Sequence, residues 1–560
     1  MTSNKKLELA LQDLFKQKEY SKVVFEITSQ TNEQERSAFL CNLLGLSRVS
    51  NNNKNIDALN LAIRDFKSGY LKEKNTNHAL DSLANFITTS VLLIDLEKNY
   101  KFDFTEILEF YKSSEKLCSN HKIIHLAMAM VYRRLNDSNK LAFHFDKIIK
   151  SKNFNADDLC NYGYWRCFGK EWSQADFLKY GSFVDENLQM LPEDKLSKIS
   201  QKTGPKIRIG FLSSDILQGH SITYFLKTVL KNYDKKKFEI ILLLSNAKED
   251  QLTQSFKNLV TETINISNLD NIGALNRIRD LKLDITIDLM GYTSRHRIEL
   301  LKNRLAKKQA IWMGYCNTSG LKNMDYIISD PNLIKLDEQK FYSEKVIFLP
   351  DIWNCHCGFD FERKENLPPF IHNKYFTFGS FNSFDKINPD VVDVWSNILK
   401  RVNKSKLVLK TSQTHHALKR LKDLFKKNNV LESIQFIERQ EDLKNHLISY
   451  NDIDIALDTF PYNGVTTSFE AIWMGVPVIT MAGYNFNSRC GESINKNLNM
   501  ERMVAKDEDD YVNKVVNLSN NHDDYINLRK SIFVNALKSP LFNVQNYSKS
   551  FFEALERIVN

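Results

Sequence analysis

The chain has 560 residues, of which 42% are hydrophobic and 26% charged, a composition typical of folded globular proteins and unlike disordered or fibrous ones. At roughly 150 residues per domain, this length predicts about three or four domains. Lysine and arginine (77) outnumber aspartate and glutamate (68), giving a net charge of +9 at neutral pH. So thin an excess permits an anionic ligand but does not indicate a nucleic-acid partner.

The sequence also bears on cellular location. Residues 1–6 lead into an amphipathic stretch over residues 7–15, and the N-terminus lacks the apolar region of a signal peptide. No apolar run approaches the ~18 residues that a membrane span needs. Eight cysteines in a chain of this length are too sparse for a disulfide scaffold. We therefore expect a cytoplasmic protein without a membrane span.

Residues 1–200 are predicted to form an α-helical domain, because leucine, alanine, phenylalanine and tyrosine recur at intervals of three or four. Tyr132 and Trp165 are 33 positions apart, and so are Ala142 and Ala175. This period is close to the ~34 residues of tetratricopeptide repeats, which stack helix pairs into a concave binding surface. An irregular helical domain is the alternative.

From residue 205 onward, short apolar runs alternate with helical patterns, which indicates parallel sheets with helices on both faces. The runs form two series, residues 207–212, 238–244 and 285–289, then 375–381, 406–410, 434–437, 453–457 and 476–480. Segments rich in polar residues, glycine or proline, 201–205 and 367–369, precede the two series. The pattern predicts two Rossmann-like domains, 205–370 and 373–560, with a ligand cleft beyond the carboxyl ends of the strands.

The most informative segment follows one of these strands. The predicted strand ends at Asp458, a loop containing proline, tyrosine, asparagine and glycine follows, and a helix begins at Thr466 and Thr467. Free backbone N–H groups and hydroxyls at a helix start bind anions, so a diphosphate fits here without a lysine-rich P-loop. Capping of the helix by the two threonines is the alternative interpretation, although capping alone does not account for the long approach loop.

The segment from Asp458 to Gly475 resembles the nucleotide-sugar site of the protein O-GlcNAc transferases, which are inverting glycosyltransferases of the two-domain GT-B fold with N-terminal tetratricopeptide repeats. Further matching blocks occur in the family's order, at residues 207–215 with His220, 288–293, 313–315 with 318–320, 324–326, 342–345, 381–382 with 386–387, and 539–542. The resemblance runs from about residue 205 to the C-terminus. It implies an α/β GT-B fold of two doubly wound domains with a closing C-terminal helix, preceded by the all-α TPR-like domain.

The resemblance also implies roles for individual residues. His220 matches a cleft histidine that positions the acceptor or sugar, and Lys386 matches a lysine that neutralises charge on the leaving diphosphate. His446 matches a histidine near the uracil and ribose, and Glu470 an acidic residue on the ribose hydroxyls. The remaining nucleotide-sugar residues implied by the motifs are Asn382, Ser383, Asn463, Gly464, Thr466 and Thr467.

Three departures from the family pattern affect the expected specificity. Val465 stands where the animal enzymes carry a histidine, Ser383 replaces a longer amide residue, and Cys316-Asn317 replaces Pro-Gly. The diphosphate site is unaffected, but the preference for sugar and base is left open.

Two short patterns look like metal sites. Cys355-His356-Cys357 lacks a second ligand pair and the usual spacing, and is interpreted as a loop with incidental thiols. Asp452-Ile453-Asp454 has the Asp-x-Asp pattern of the other glycosyltransferase fold, but it precedes an apolar strand rather than following one. We therefore expect no metal and no cofactor besides the donor substrate.

Taken together, the resemblance implies a metal-independent glycosyltransferase that moves a sugar, N-acetylglucosamine from UDP-GlcNAc, to serine or threonine hydroxyls of protein or peptide acceptors bound through the helical region. Within the same fold, UDP-glucose with an asparagine acceptor and GDP-fucose are alternatives. An inactive repeat scaffold is an alternative of another class.

Overall fold

The computed structural model describes residues 3–74, 76–96, 104–199, 204–361, 363, 367–411, 415–440 and 442–560. The chain divides into two compact units, residues 1–158 with 413–422, and residues 159–412 with 423–560. This division differs from the predicted end of the helical domain at residue 200, because residues 159–200 belong to the unit that contains both sheets. Residues 201–203 of the predicted linker lie outside the described residues.

The first unit consists of amphipathic helices that follow one another along the chain. They are α1 (Ser3–Lys16), α2 (Tyr20–Gln30), α3 (Ala38–Asn51), α4 (Ile56–Lys72), α5 (Asn77–Leu96), α6 (Thr105–Cys118), α7 (Lys122–Arg134) and α8 (Ser138–Lys150). Ser37, Asn55 and Asp137 cap α3, α4 and α8 by accepting a backbone N–H bond. Buried leucines such as Leu11 and Leu44 join α1, α2 and α3 into one core.

Consecutive helices pack closely where small residues face a neighbour. A Cβ atom at Gly45 of α3 would lie 2.5 Å from the ring of Phe66 on α4. A Cβ atom at Gly69 of α4 would lie 2.7 Å from the Ser82 hydroxyl of α5. Helix pairs that approach through small residues are the feature that the repeat interpretation requires. The predicted all-α, TPR-like character of this region is confirmed.

Helix α5 has the length and apolar character of a membrane span, with 20 residues and a mean hydropathy of 1.4 over its most apolar window. It is the one such helix among the described residues, and 67% of that window is buried inside the protein. The apolar character of α5 is not evident from the sequence, because the polar residues Ser82, Thr89 and Ser90 interrupt its apolar run. All three polar residues are buried. Since a buried core helix has the same length and hydropathy, α5 alone does not indicate a membrane.

The second unit contains helices α9 (Ala156–Arg166, from residue 159) and α10 (Gln174–Asn187), followed by a seven-stranded parallel sheet in the order β3-β2-β1-β4-β5-β6-β7. The strands are β1 (Ile207–Ser213), β2 (Phe238–Leu244), β3 (Glu262–Asn265), β4 (Ile285–Asp288), β5 (Lys308–Ile311), β6 (Tyr326–Ser329) and β7 (Lys345–Phe348). The intervening helices are α11 (Ile222–Lys231), α12 (Gln251–Lys257), α13 (Asn271–Asp280) and α14 (Ile298–Leu301). Helix α10 docks on this domain at Gly181, where a Cβ atom would lie 2.7 Å from Cα of Gly320.

A second parallel sheet has six strands in the order β10-β9-β8-β11-β12-β13. Its strands are β8 (Thr377–Ser380), β9 (Lys406–Thr411), β10 (Ile434–Glu438), β11 (Ile455–Leu457), β12 (Val478–Met481) and β13 (Val504–Ala505). Its helices are α15 (Pro369–Asn373), α16 (Pro389–Arg401), α17 (His415–Lys427, of which residues 423–427 belong to this unit), α18 (Leu443–Ile448), α19 (Thr466–Trp473), α20 (Cys490–Asn497), α21 (Glu508–Asn520) and α22 (His522–Lys538).

The order of the strands shows at which edge of each sheet a ligand is expected to bind. In each sheet the order reverses at the first strand, since β1 lies between β2 and β4, and β8 lies between β9 and β11. Ligands of doubly wound sheets bind at such switch points, beyond the carboxyl ends of the strands. Two doubly wound parallel sheets in succession confirm the predicted α/β GT-B class.

The last helix, α23 (Val544–Val559), returns to the domain of the first sheet. The Ser548 hydroxyl donates to the carbonyl of Thr228 on α11 at 3.3 Å, and the ring of Phe551 lies 4.7 Å from that of Trp312. The end of the chain thus connects the second sheet domain to the first.

Candidate functional site

The loop after β11 is organised around the buried carboxylate of Asp458. One oxygen accepts the backbone N–H groups of Thr459 (2.9 Å) and Gly464 (2.6 Å), and the other accepts the Thr480 hydroxyl (2.7 Å). Burial raises the pKa of Asp458 to about 6, although these hydrogen bonds and the nearby Lys386 ammonium act in the opposite direction. Three hydrogen bonds to one carboxyl group hold the loop in a single shape ahead of α19.

Helix α19 begins with backbone N–H groups that have no partner. Within the described part of the chain, no hydrogen bond is made by the backbone N–H of Val465, Thr466 or Thr467. Val465 occupies the N-cap and caps nothing, so the interpretation of the threonines as mere helix caps is wrong. The Thr467 hydroxyl donates to Oδ1 of Asn382 at 3.0 Å. Unpaired N–H groups at the positive end of a helix form an anion site.

Lys386 supplies a cation beside this site. Its ammonium donates to the backbone carbonyl of Asn463 at 2.8 Å and lies 4.5 Å from the ring centre of Tyr462. Burial lowers the pKa of Lys386, and the Asp458 carboxylate opposes that shift. Among the described residues, Lys386 forms no ion pair with a carboxylate. An ammonium with N–H donors to spare next to a helix start can hold a diphosphate.

Several other predicted residues shape the loop rather than face an open site. The Asn463 amide donates to the carbonyl of Thr459 (2.8 Å) and accepts from the N–H of Gly491 (3.2 Å), so both ends of the amide are bound within the protein. Asn382 also lies within 3.4 Å of the Asp458 carboxylate. Ser383 is exposed, and its hydroxyl donates to the carboxylate of its neighbour Asp385 at 3.3 Å.

A second cluster lies one helical turn beyond the anion site. His446 Nε2 lies 2.9 Å from a carboxylate oxygen of Glu470, and the Tyr450 hydroxyl donates to the same oxygen at 2.9 Å. The Lys410 ammonium lies 3.4 Å from each ring nitrogen of His446. The second carboxylate oxygen of Glu470 is thereby left to accept a hydroxyl, as the expected ribose contact requires. Lys410 and Tyr450 are missing from the sequence analysis, where the one signal was a charged residue at the end of the apolar run 406–410.

His220 lies in the other sheet domain, in the loop after β1. Its Nε2 is 3.9 Å from Asp215, whose carboxylate accepts a hydrogen bond from Arg295 at 2.7 Å. Burial lowers the pKa of His220, while the Asp215 charge acts in the opposite direction. Nδ1 of His220 is buried and without a hydrogen-bond partner. His220 has no hydrogen bond to the residues around α19 in the described part of the structure.

In both metal-like patterns, the side chains contact other parts of the protein. Asp454 accepts the backbone N–H groups of Phe370 and Thr377 and the hydroxyl of Tyr525. His356 is buried against aromatic rings, and burial lowers its pKa to about 3. Within the described ranges, no group of three or more histidine, cysteine, aspartate or glutamate side chains could hold a metal ion.

The fold places the chain in the GT-B class, with unpaired helix N–H groups and the Lys386 ammonium at the carboxyl edge of the second sheet. The family model of glycosyl transferase family 41 matches residues 177–357 and 369–551. The chain belongs to glycosyl transferase family 41.

Individual relatives agree with this assignment. A probable UDP-N-acetylglucosamine–peptide N-acetylglucosaminyltransferase, SPINDLY of Solanum lycopersicum, is 31% identical over 392 residues, covering 68% of this chain and 40% of that protein. The probable transferase SEC of Arabidopsis thaliana is 26% identical over 370 residues, covering 62% of this chain and 37% of that protein. The chain thus spans about two fifths of the length of these curated relatives.

A solved structure shows the same fold. An O-GlcNAc transferase mutant from Thermobaculum terrenum aligns with a TM-score of 0.76 at 19% identity, covering 93% of this chain and 98% of that one.

Proposed function

We propose that this chain transfers N-acetylglucosamine from UDP-GlcNAc to serine or threonine hydroxyls of proteins, with inversion at the sugar and without a metal. The observation that carries the proposal is the row of unpaired N–H groups at Val465, Thr466 and Thr467 beside the Lys386 ammonium. These groups supply the hydrogen-bond donors and the positive charge that a diphosphate requires. The names of the family relatives support UDP-GlcNAc as donor and a peptide as acceptor.

In this reaction the acceptor oxygen bonds to the anomeric carbon while the bond from that carbon to the diphosphate oxygen breaks. The acceptor hydroxyl releases its proton to solvent, and UDP departs with the electron pair of the broken bond. Charge grows on the diphosphate as the bond breaks, so donors fixed at α19 and at Lys386 stabilise the transition state more than the bound donor. Since these groups neutralise the diphosphate, no divalent cation is needed there.

His220 and the helical region have roles that follow from their positions in the fold. His220, at the carboxyl edge of the first sheet with an unpartnered ring nitrogen, positions the acceptor or the sugar. The helical region supplies the acceptor surface. A cytoplasmic location remains a prediction from the sequence.

A donor screen tests the function. The chain is incubated with UDP-GlcNAc, UDP-glucose or GDP-fucose and a mixture of proteins, and intact-mass spectrometry identifies the sugar added to acceptors. We expect nucleotide release and protein modification with UDP-GlcNAc, unchanged in excess EDTA. A Lys386→Met variant, run in parallel, controls for background hydrolysis.

Each other outcome contradicts a stated part of the proposal. Transfer from UDP-glucose to asparagine, or from GDP-fucose, would replace the donor and acceptor. Consumption of none of the three donors would favour an inactive scaffold. Loss of activity in EDTA that Mn²⁺ restores would overturn metal independence.

A further inference from the structure

The ammonium of Lys410, at the carboxyl end of β9, is short of partners. Its ammonium nitrogen lies 3.4 Å from each ring nitrogen of His446, of which one at most can accept a hydrogen bond, and 5.5 Å from the ring centre of Phe381. In the described part of the chain, Lys410 forms no ion pair with a carboxylate. A half-buried ammonium has three N–H donors, and the two long contacts to one ring leave donors available to a ligand.

The charges around Lys410 come from three other segments. Glu470 of α19 is the acidic group that faces it, Arg439 after β10 is a second cation, and His446 of α18 lies between. Burial lowers the pKa of Lys410 to about 8, Glu470 opposes this shift and Arg439 adds to it. Lys410 is therefore a cation at neutral pH and loses its proton in mildly alkaline solution.

The strand order places Lys410 at a definite distance from the diphosphate site. The loop that carries the anion site follows β11, and β9 is two strands away across β8. Two strand spacings are about 10 Å, which matches the reach of a nucleotide from its phosphates to its base. A nucleoside diphosphate lying along this edge, with its ribose at Glu470, therefore brings its base over β9.

Near the carboxyl end of β9, where the base would lie, His446 and Lys410 act as hydrogen-bond donors. Since the Glu470 carboxylate can only accept, His446 donates through Nε2, and the Lys410 ammonium can only donate. Uracil and guanine present a carbonyl oxygen where cytosine and adenine present an amino group. A carbonyl oxygen satisfies the ammonium, whereas an amino group sets donor against donor.

We propose that Lys410 reads the nucleobase of the sugar donor and selects uracil or guanine, which carry a carbonyl oxygen at C4 or C6, over cytosine and adenine, which carry an amino group there. This inference rests on the proposed function, because it requires a nucleotide at this edge. It adds a specificity residue that the sequence motifs do not contain.

The test is calorimetric titration of UDP, GDP, CDP and ADP into the full chain and into Lys410→Met. We expect the wild type to bind UDP or GDP at least tenfold more tightly than CDP and ADP. In Lys410→Met, that preference should fall below about threefold, chiefly through weaker binding of the carbonyl-bearing nucleotide. Lys406→Met is the matched control, since Lys406 lies on the same strand and contacts only the carbonyl of Glu432. The control should keep the wild-type preference.

A second variant guards against misfolding and adds a pH readout. Lys410→Arg keeps the cation, and arginine stays protonated far above pH 8. Wild-type affinity for the preferred nucleotide should decline between pH 7 and pH 9, while that of Lys410→Arg should hold.

Each remaining outcome overturns the proposal. Lys410→Met that keeps the base preference, or that weakens all four nucleotides equally, would show that Lys410 does not read the base. An identical pH profile in wild type and Lys410→Arg would do the same. If no nucleotide binds the wild type, the proposed function itself fails.

Discussion

Lys386→Met is expected to lower kcat by about 10²–10³-fold while leaving the fold intact. The Lys386 ammonium is held by the Asn463 carbonyl and the Tyr462 ring, and it forms no ion pair with a carboxylate in the described structure. Its interaction with the leaving diphosphate strengthens as charge develops there, so its loss acts on the rate more than on donor binding. Steady-state release of UDP, together with thermal unfolding, measures both quantities.

The control for this prediction is Lys400→Met, because Lys400 is an exposed lysine near the end of α16. It should change neither kcat nor the melting temperature. A folded Lys386→Met enzyme with wild-type kcat would show that Lys386 is an ordinary lysine of the loop.

Asp458→Ala is expected to abolish nucleotide binding and to lower the free energy of unfolding by about 2–5 kcal/mol. The substitution removes the acceptor of the buried N–H groups of Thr459 and Gly464, and each such group left unpaired costs roughly 1–3 kcal/mol. The loop then loses the shape that presents the start of α19. Urea unfolding and UDP titration measure the two effects.

Asp458→Asn separates the hydrogen bonds from the charge. Its amide oxygen can still accept from Thr459 and Gly464, while its amino group faces the Thr480 hydroxyl, which can accept. We therefore expect a smaller loss of stability than in Asp458→Ala and partial nucleotide binding. Wild-type UDP affinity in Asp458→Ala would show that the loop does not need this carboxylate.

The anion site could be predicted from the sequence because its parts are contiguous. A strand that ends at Asp458, a loop with Gly464 and a helix start at Thr466 follow one another within ten residues, and each has a local signal. The two-sheet fold was predictable for a similar reason, since buried parallel strands appear as continuous apolar runs.

Lys410 and the surroundings of α10 were not predictable in this way. Lys410 joins the site through strand order, which brings β9 beside β8 although the strands are separated in the chain. The pattern of α10 shows that one face is buried but not what covers it. Close contact between Gly181 and Gly320 decides that α10 packs on the first sheet domain rather than with the repeat helices.

The central claim is that a nucleotide-sugar donor binds at the start of α19. The measurement that tests it most directly is amide hydrogen exchange of the full chain with and without UDP. We expect the strongest slowing at Val465, Thr466 and Thr467, whose N–H groups have no partner in the described structure, with weaker slowing around His446 and Lys386. Slowing confined to residues 205–365, with no change around α19, would contradict the account.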